Sequence, residues 1–497
     1  MKNSFANLSL FEKLTFIRAI LPSKINIYLV GGAVRDCLLG RTIHDLDFTL
    51  PQDAIKTGRK VADALGAAFY PLDIERDAGR VIYTEQGNRI SIDFASFRRP
   101  DLESDLRERD FTINAMALDI HQPEKLIDPC QGGTDLRKCL IRACSSSAFS
   151  SDPLRILRCV RQSVELSFMI DPITISLARS AKSGLLDVSE ERLRDEIFRI
   201  FDTSNPAAAI QLLDAFGVIS YIFPELEGLK QTRIHFPIAD NLWDHAIHII
   251  QNLTSVLGVL SPVYDMETAT NWTMGLISLK LGRYRHQLYE HFNDRINIDR
   301  SIPSLLFFTV LYLYSGKLDF GSGIKDQNQH NNRNLSDNSK LLRRRCENLR
   351  LNTAEINWAE RLVRLHRSPI LSSKIKPCLS RRSIYHFFRE AQSSGVDICL
   401  LSLADSLAIY GATIPQDHWE TMLDTIRILF EAWWEKPDEA VNPPALVDGH
   451  DLIEHLHVTP GPLVGKLLEV IRENQAAGEI IDAHQALEFA CDYLSKL

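Results

Sequence analysis

The sequence lacks any uninterrupted apolar run of about 20 residues, the length that a helix needs to cross a bilayer. It also lacks the C-x-x-C and H-E-x-x-H spacings that are typical of zinc sites. Its nine cysteines are instead scattered along 497 residues, a length that allows a buried core. Scattered cysteines in a long chain are typical of reduced thiols in a cytosol-like compartment. We therefore expect a cytoplasmic protein without a membrane span, a zinc site or a disulfide scaffold.

An overall excess of positive charge is missing as well, because 64 acidic side chains outnumber 56 basic ones and the formal net charge is −8. Net charge is a weak guide to nucleic-acid binding, however, since binding depends on where charge is concentrated. Residues 340–389 contain thirteen Lys and Arg side chains and three Asp and Glu side chains. This stretch is either a set of solvated helix faces or a surface that follows nucleic-acid phosphates, and the sequence leaves both interpretations open.

The first 145 residues mix short β-type runs with helical ones, which predicts a small mixed sheet flanked by helices. The predicted strands are 25–32, 45–50, 67–73, 80–85 and 88–96. Between the first two strands, GGAVRDCLLG predicts a helix that ends at Gly40. Residues 51–66 predict a second helix with Pro51 in its first turn.

After about Ser150, apolar residues recur at three- and four-residue spacing to the end of the chain, which predicts helices. An Asn-rich polar stretch is predicted to be a flexible loop. The sequence thus predicts an α+β protein, in which a head with a small mixed sheet is followed by a long all-α neck, body and tail. The predicted segments are the head (1–145), the neck (146–225), a first helical body (226–320), the polar loop (321–339), a basic helical body (340–434) and the tail (445–497).

Gly31 and Gly32 lie between a predicted strand and a predicted helix. Backbone N–H groups at that position can face a phosphate, because no side chain intervenes. Arg35, in the first turn of the helix, adds a guanidinium group for the same anion.

Asp45 and Asp47 alternate along the next predicted strand, which puts both carboxylates on one face of it. Two neighbouring carboxylates repel each other unless cations lie between them, and Mg²⁺ prefers hard oxygen ligands that it shares with substrate phosphates. A pair of metal ions about 3.5–4 Å apart activates an attacking hydroxyl and stabilises a leaving group. Asp45 and Asp47 are therefore the candidate catalytic residues and metal ligands, with two Mg²⁺ ions expected. Asp93, on a later strand, is a candidate third ligand.

The segment GGAVRDCLLGRTIHDLD resembles the signature of the class II tRNA nucleotidyltransferases and bacterial poly(A) polymerases, a branch of the polymerase-β-like nucleotidyltransferases. Further similar segments follow in the order of that family: DLRERDFTINAMALDI (105–120), LIDPCQGGTDLRKCLIRAC (126–144), SDPLRILRCVRQSVELSF (151–168) and SEERLRDEI (189–197). Residues 446–480 are similar to the RNA-facing tail of the family. The first 200 residues carry the most specific matches.

The resemblance implies roles for individual side chains. Arg109 would hold the triphosphate, Asp110 the ribose hydroxyls, and Asn114 would support the phosphates. The helix that follows would select the nucleotide through Asp152 and Arg155. The other nucleotide-binding residues implied by the resemblance are Gly31, Gly32, Arg35, Arg158 and Arg161.

Asp152 and Arg155 are three positions apart on a predicted helix, so both side chains can lie over one surface. A carboxylate only accepts hydrogen bonds and a guanidinium only donates them. Adenine and cytosine present an amine beside a bare ring nitrogen, whereas uracil and guanine present a carbonyl beside a ring N–H. The pair therefore predicts a preference for ATP and CTP.

Three features depart from the family pattern. Ser151 stands where the family has Glu. The segment between Asp93 and the second motif is short, where many CCA-adding relatives have a longer flexible loop, so CC-only, A-only and poly(A) activities all stay open. NLWDHAIHII resembles the start of an HD phosphohydrolase domain, but Leu279-Lys280 occupies the place of the required His-Asp pair. We therefore interpret 226–320 as a degenerate HD-like region with a structural role.

The sequence thus predicts a template-independent RNA nucleotidyltransferase that adds C and/or A, from CTP and ATP, to the 3′ end of a tRNA or another RNA. The alternatives are a poly(A) polymerase of the same family and a catalytically silent RNA-binding relative. On this hypothesis the basic body contacts RNA phosphates through Arg343, Arg344 and Arg345, and the tail does so through Lys466.

Overall fold

The computed structural model describes residues 9–22, 25–43, 45–85, 88–263, 271–294, 296, 300–316, 327–372 and 379–495. The chain divides into two compact units. Unit 1 spans Met1–Arg192 and Leu212–Ile222, and unit 2 spans Leu193–Gln211 and Phe223–Leu497. The predicted head and much of the predicted neck therefore lie in one unit.

Unit 1 contains a seven-stranded mixed sheet, as the sequence predicts. Its strands are β1 (Tyr28–Val30), β2 (Asp45–Leu50), β3 (Ala68–Asp73), β4 (Ala78–Glu85), β5 (Asn88–Ser96), β6 (Ala117–Asp119) and β7 (Gln122–Ile127). They lie side by side in the order β3-β4-β5-β2-β1-β6-β7. The β2 and β5 strands are parallel, and the other neighbours are antiparallel. All five strands predicted from the sequence are confirmed, whereas β6 and β7 had not been predicted.

Helices form most of the remaining described chain. In chain order they are α1 (Leu10–Ile20), α2 (Gly32–Leu38), α3 (Ala54–Leu65), α4 (Leu102–Arg107), α5 (Gly132–Arg137), α6 (Ala148–Ser151), α7 (Arg155–Leu166), α8 (Pro172–Ala181), α9 (Glu190–Phe201), α10 (Pro206–Ala215), α11 (Ile219–Ile222), α12 (Glu227–Gln231), α13 (Leu242–Val259), α14 (Trp272–Leu281), α15 (Arg285–Asn293), α16 (Ile302–Val310), α17 (Gln327–Asn348), α18 (Thr353–Leu365), α19 (Pro369–Ser372), α20 (Arg381–Ala391), α21 (Ser394–Tyr410), α22 (Gln416–Phe430), α23 (Pro437–Ala440), α24 (Gly449–Leu456), α25 (Pro462–Ala477) and α26 (Ala483–Ser495).

Three short strands interrupt the part of the chain that was expected to be entirely helical, and one of them pairs with a short strand at the end of the predicted head. In unit 1, β8 (Leu140–Ile141) pairs with β9 (Met169–Ile170), and in unit 2, β10 (Arg233–Phe236) pairs with β11 (Ala239–Asn241). Strands of two to four residues are too short to show an alternating pattern in the sequence. The all-α prediction is wrong in these stretches, although the α+β class is confirmed.

The alternation of β2 decides which of its side chains reach the core. Leu46, Phe48 and Leu50 are buried, and the ring of Phe48 stacks on Phe94 of β5 with 5.2 Å between centroids. Helix α3 packs against β4 and β5, and a Cβ atom at Gly58 of this helix would lie 3.0 Å from the ring of Phe69 and 3.1 Å from that of Phe94. Because successive strand residues point to opposite faces, Asp45 and Asp47 lie on the face that this core leaves free.

Helix α3 begins later than the sequence predicts. Pro51 was expected in its first turn, but the helix starts at Ala54, so that prediction is wrong. The carboxylate of Asp77 accepts hydrogen bonds from the backbone N–H groups of Ala54 and Ile55, at 2.7 and 2.9 Å. A cap provided by a residue more than twenty positions away cannot be recognised from the local sequence.

The predicted polar loop at 321–339 is wrong for residues 327–339, which form the first part of α17, and residues 321–326 lie outside the described chain. The reason is packing at the other end of the helix, where Leu342 and Cys346 are buried. Asn338 also bonds the preceding turn, donating to the carbonyl of Leu313 at 2.6 Å and accepting from the N–H of Gly316. These contacts override the low helix propensity of an Asn-rich run.

One helix of unit 2 is long and apolar enough to span a membrane by length and composition alone, which the sequence analysis had missed. It covers Ser394–Thr413. The most apolar 18 residues of this range have a mean hydropathy of 1.4, and 72% of that stretch is buried inside the protein. Helix α13 packs along it. Its two acidic residues, Asp397 and Asp405, bond His291 and His245, each at 2.9 Å. The helix is therefore the central core helix of unit 2.

The degenerate HD-like region keeps a histidine contact in this core. Nε2 of His245 lies 2.9 Å from Asp405, whose carboxylate also accepts from the hydroxyl of Tyr314 at 2.8 Å. At the place of the missing His-Asp pair, Leu279 is 78% exposed, and Lys280 bonds Asp424 at 2.9 Å. Among the described residues, no three His, Cys, Asp or Glu side chains are grouped to hold a metal ion.

Candidate active site

The register of the sheet brings three charged side chains of unit 1 into one row. Asp47 of β2 lies opposite Asp93 of β5, and Asp93 lies opposite Arg80 of β4. Asp45 shares the face of Asp47, because the two are two positions apart on one strand. The two predicted catalytic residues and the candidate third ligand are therefore neighbours.

Crowding of these carboxylates changes the ionisation of Asp47. Burial raises its pKa to about 6, and the nearby charges of Asp93 and Asp45 add to the increase, while Arg109 and Arg80 oppose it. A buried carboxyl with like charges beside it is the environment that a divalent cation would relieve. The residues present thus fit a Mg²⁺ site made by Asp45 and Asp47.

Asp93 is held by a partner that the sequence analysis did not identify. Its carboxylate forms a two-point ion pair with Arg80, with Nε and Nη2 at 2.8 and 2.7 Å from its two oxygens. Cross-strand register was the only signal that could have revealed Arg80 beforehand. As the protein stands, Asp93 neutralises Arg80, which leaves Asp45 and Asp47 as the carboxylates that would hold a metal ion.

Gly31 lets a cationic group and a carboxylate approach the same point. Its φ of 75° is in the left-handed region, which favours glycine. A Cβ atom there would lie 3.3 Å from Nη1 of Arg109 and 3.4 Å from Oδ2 of Asp47. A Cβ at Gly32 would lie 3.4 Å from Nη2 of Arg35. The glycine turn, Asp47 and the predicted triphosphate ligand Arg109 therefore meet at one place.

Arg109 has unused hydrogen-bonding capacity. Its Nε is buried without a hydrogen-bond partner among the described residues, and its Nη2 is 3.9 Å from Asp105. Buried donors in folded proteins almost always have a partner. Arg109 is thus a cation near Asp47 whose hydrogen bonds within the protein are incomplete.

Arg35, in contrast, is already engaged. Its Nε and Nη2 bond the carboxylate of Asp36, each at 2.9 Å, and its Nη1 donates to the side-chain oxygen of Asn114 at 2.9 Å. Asn114 donates in turn to Asp110 and to Gln162 of α7, both at 2.9 Å. The phosphate-binding residues implied by the resemblance are thus joined in one network, and Gln162 is a member that the sequence analysis missed.

Asp110 links this network to α7. Its Oδ2 accepts from Arg158 at 2.8 and 3.0 Å, and its Oδ1 accepts from Asn114 and from the N–H of Phe111. Burial acts to raise the pKa of Asp110, but Arg158 and these hydrogen bonds lower it overall. The predicted ribose ligand is therefore an ionised carboxylate that already holds the second motif to the helix.

The predicted base-reading pair is not arranged as expected. Asp152 is not on a helix with Arg155 but follows the last residue of α6, because Pro153 comes next and the chain turns before α7. Its carboxylate bonds Arg192 at 2.7 Å. Arg155 donates to the backbone carbonyl of Glu108 at 2.8 Å, so both side chains have partners within the protein.

Two neighbouring positions are also occupied by internal bonds. The hydroxyl of Ser151 donates to the carbonyl of Ser147 at 2.8 Å, so it does not replace the missing acid of the family pattern. Arg161 bonds Glu165, one turn later in α7, at 2.9 and 3.0 Å.

Acids from elsewhere in the chain pair with several side chains of the basic stretch of unit 2. Arg345 forms a two-point pair with Glu225, with both distances 2.7 Å, and Arg343 bonds Glu360 at 2.8 Å. The acids that pair with α20 come from later in the chain: Arg381 bonds Glu439, Arg382 bonds Glu473 and Glu479, and Arg389 bonds Glu469. These five acids from outside the stretch offset half of its excess of ten positive charges.

Two of the four predicted RNA-binding side chains remain exposed. Arg344 has no ion pair among the described residues, and it lines a cleft of about 210 Å³ together with Asn348 and the paired Arg345. Lys466, at the exposed start of α25, lies 5.8 Å from the ring centre of Tyr493. These two cations can meet a phosphate without giving up a carboxylate.

Parts of the chain are similar to known proteins. Residues 27–142 match the Poly A polymerase head domain, and residues 167–229 match the probable RNA and SrmB-binding site of polymerase A. The CC-adding tRNA nucleotidyltransferase of Geobacter sulfurreducens is 39% identical over 219 residues, which cover 42% of this chain and 50% of that protein. The A-adding tRNA nucleotidyltransferase of Deinococcus radiodurans is 29% identical over 470 residues, covering 93% of this chain and 94% of that one.

The fold has solved counterparts. A CCA-adding enzyme in its apo form I superposes with a TM-score of 0.60 at 20% identity, covering 98% of this chain and 93% of that one. The same mixed sheet and helical remainder are thus known in a protein of distant sequence. Two parts of the chain thus match domains of polymerase A, and the chain is similar over 93% of its length to an A-adding tRNA nucleotidyltransferase.

Proposed function

We propose that this protein adds C and/or A, from CTP and ATP, to the 3′ end of tRNA and releases pyrophosphate, without a nucleic-acid template. The observation that carries the proposal is the meeting of Asp47, Nη1 of Arg109 and the Gly31 turn at one point. The names of the two relatives, one CC-adding and one A-adding, support tRNA as the substrate and leave the number of added nucleotides open. A cytoplasmic location follows from that substrate.

Phosphoryl transfer needs mainly positioning and neutralisation of charge. Asp45 and Asp47 would hold Mg²⁺, which supplies a cation that lowers the pKa of the attacking 3′-hydroxyl and stabilises the leaving pyrophosphate. Arg109 would bind the triphosphate through the guanidinium group that lies beside Gly31 and Asp47, and the Arg35–Asn114 pair would help to orient the phosphates. No side chain has to act as a covalent nucleophile.

The direct test uses tRNA transcripts that lack the last one, two or three nucleotides. Each is incubated with Mg²⁺ and one labelled nucleoside triphosphate, and the products are sized. We expect incorporation of C, of A, or of both, at defined positions. Long A tails would favour the poly(A) polymerase alternative, and no incorporation with any triphosphate would leave only the silent RNA-binding relative.

We expect Asp45→Asn and Asp47→Asn to lower the rate of transfer by roughly a thousandfold, because either change removes a metal ligand worth several kcal/mol in the transition state. Mg²⁺ should raise the melting temperature of the wild type but not that of the variants. Asp63→Asn, which changes an exposed carboxylate of α3, is the matched control and should behave as the wild type. A variant that stays active and whose melting temperature still rises with Mg²⁺ would show that the changed residue is not a metal ligand.

The raised pKa of Asp47 also predicts a pH dependence of stability in EDTA. Because this pKa is about 6 in the folded protein and 3.8 ordinarily, the folded state binds the extra proton between these values. Its stabilising contribution is complete below about pH 4 and is lost as the pH rises through 6, by at most about 3 kcal/mol. Asp47→Asn should therefore become more stable relative to the wild type between pH 5 and 7.5. A constant difference in melting temperature over this range would contradict the prediction.

We expect Arg80 to be a positioning residue that sets the acid limit of the reaction. Arg80→Met leaves Asp93 uncompensated, which raises the pKa of Asp47 further, so the acid limb of the rate profile at limiting Mg²⁺ should move to higher pH. Arg80→Lys keeps the charge and should largely restore the profile. The double variant Arg80→Met, Asp93→Asn should restore it as well. A lower rate with an unmoved profile in Arg80→Met would indicate only a structural role.

Arg344 and Arg345 are neighbours on α17, and substituting each of them separates a role in RNA binding from a role in stability. Arg344→Ala should weaken tRNA binding and lower the slope of log K against log salt by about 1, without changing the melting temperature. Arg345→Ala should lower the melting temperature, because it leaves the partly buried Glu225 unpaired. The measurements are tRNA titrations at several salt concentrations and thermal unfolding. An unchanged slope in Arg344→Ala would favour the solvated-face interpretation.

We infer that Asp152 reads the amine of adenine or cytosine after exchanging its partner Arg192 for the base. Asp152→Asn should lower the preference for ATP and CTP over UTP and GTP by about tenfold, since each unmet buried group costs about 1–3 kcal/mol. Arg192→Met, which leaves the carboxylate in place, is the control and should keep the preference. Equal rate ratios in the wild type and Asp152→Asn would show that selection lies elsewhere.

A further inference from the structure

A row of side chains on the open face of the unit 1 sheet continues past the candidate active site. Asp47 of β2, Asp93 of β5 and Arg80 of β4 lie opposite one another on neighbouring strands. On β3, the next strand, Tyr70 lies opposite Arg80. Side chains of residues that pair directly point to the same face of a sheet, so Tyr70 shares the face of Asp47. Since β3 is the edge strand, Tyr70 ends the row.

Tyr70 is open to solvent, unlike the aromatic residue before it. The side chain of Phe69 points to the opposite face, where its ring lies 3.0 Å from a Cβ atom placed at Gly58 of α3. Tyr70 is 52% exposed. Single exposed rings are common on protein surfaces, so the unusual property of Tyr70 is its place in line with the candidate metal ligands. Arg80, between them, is held by its ion pair with Asp93, so the end of the row offers a ring rather than a free cation.

The direction of phosphoryl transfer decides which substrate would cross this row. Gly31 directly follows β1, the neighbour of β2 on the side away from β5, and Nη1 of Arg109 lies near it. A triphosphate bound there would release pyrophosphate on the β1 side of Asp47. Because the attacking and leaving oxygens lie roughly in line, the 3′-hydroxyl would approach from the β5 side. The RNA behind that hydroxyl would then extend over β4 and β3.

We propose that the ring of Tyr70 stacks on one of the last bases of the RNA while the 3′-hydroxyl lies at Asp47. This inference rests on the proposed function. The backbones of β2 and β3 are separated by strand spacings of about 4.8 Å each, which add up to about 14 Å. A nucleic-acid strand advances about 3.4 Å per stacked nucleotide and more when it is extended, so Tyr70 lies within about four nucleotides of the reacting end.

Stacking suits an RNA end whose sequence changes with each addition. Every base has a π-face, so an aromatic ring binds bases with little regard to their identity. A hydrogen-bonding contact at the same place would favour one base and would be lost when the end grows by one nucleotide. The ring of Tyr70 can instead hold whichever base comes to lie over the edge strand.

The first experiment measures stacking directly, with 2-aminopurine as the probe. The analogue is placed in turn at each unpaired 3′ position of tRNA transcripts that lack the last one or two nucleotides. Its fluorescence, which stacking quenches, is recorded with the full chain and Mg²⁺ in the absence of any nucleoside triphosphate. We expect quenching at one position with the wild type and with Tyr70→Phe, and loss of that quenching with Tyr70→Ala. Equal quenching by the wild type and Tyr70→Ala at every position would overturn the proposal.

Phe11→Ala is the matched control for this experiment. Phe11 is also 52% exposed, and it lies on α1, which packs on α3 and therefore belongs to the opposite side of the sheet. This variant should quench the probe as the wild type does. If Tyr70→Ala changed the sedimentation of the protein without RNA, the edge strand would be a contact between two copies of the chain, and the proposal would be rejected.

The second experiment measures single-nucleotide addition at varied concentrations of the transcript and of the nucleotide. We expect Tyr70→Ala to raise KM for the transcript about tenfold, with no change in KM for the nucleotide or in the melting temperature. Tyr70→Phe should restore the wild-type value. A higher KM for the nucleotide alone would contradict the proposal. A wild type that adds no nucleotide would reject the proposed function, while quenching that depends on the ring of Tyr70 would still establish an RNA-binding site there.

Discussion

Repulsion between the carboxylates of β2 and β5 is the constraint on which the rest of the candidate site depends. Phe48 and Phe94 pack together in the core, so the strand alternation that buries them also places Asp47 beside Asp93 on the open face. Hydrophobic burial therefore forces like charges together, and the cost appears as the raised pKa of Asp47. The positive charges of Arg109 and Arg80 partly offset this repulsion, because they lower the pKa of Asp47.

The arginines of this protein fall into two groups according to whether a carboxylate already holds them. Arg345 and Arg158 belong to partly buried ion pairs, and removing one partner from such a pair is costly because the other is left uncompensated. Arg109 and Arg344 have no comparably close carboxylate in the described chain. Arg109 and Arg344 would not have to break an ion pair in order to bind a phosphate. They are therefore better candidates for phosphate contacts than Arg345 and Arg158.

Sequence reasoning was most successful where the signal is local. Alternating strands and the pair Asp45 and Asp47 were visible because a strand period of two needs only neighbouring residues. The ion pairs of the basic stretch were not visible, since Arg345 and Glu225 are 120 positions apart and Arg389 and Glu469 are 80 apart. The same limit explains the late start of α3 and the helix at 327–339, where distant contacts decide the local structure.

A motif identifies the type of a side chain but not the partners that it has already bonded. Asp110 illustrates the consequence. Arg158 makes two hydrogen bonds to Oδ2 and carries the opposite charge, so a neutral ribose hydroxyl with a single donor would not displace it. It can share Oδ1 with Asn114, whose other bonds lead to Arg35 and Gln162. Nucleotide binding at Asp110 would therefore act on the phosphate-binding residues and on α7 at the same time, through one carboxylate.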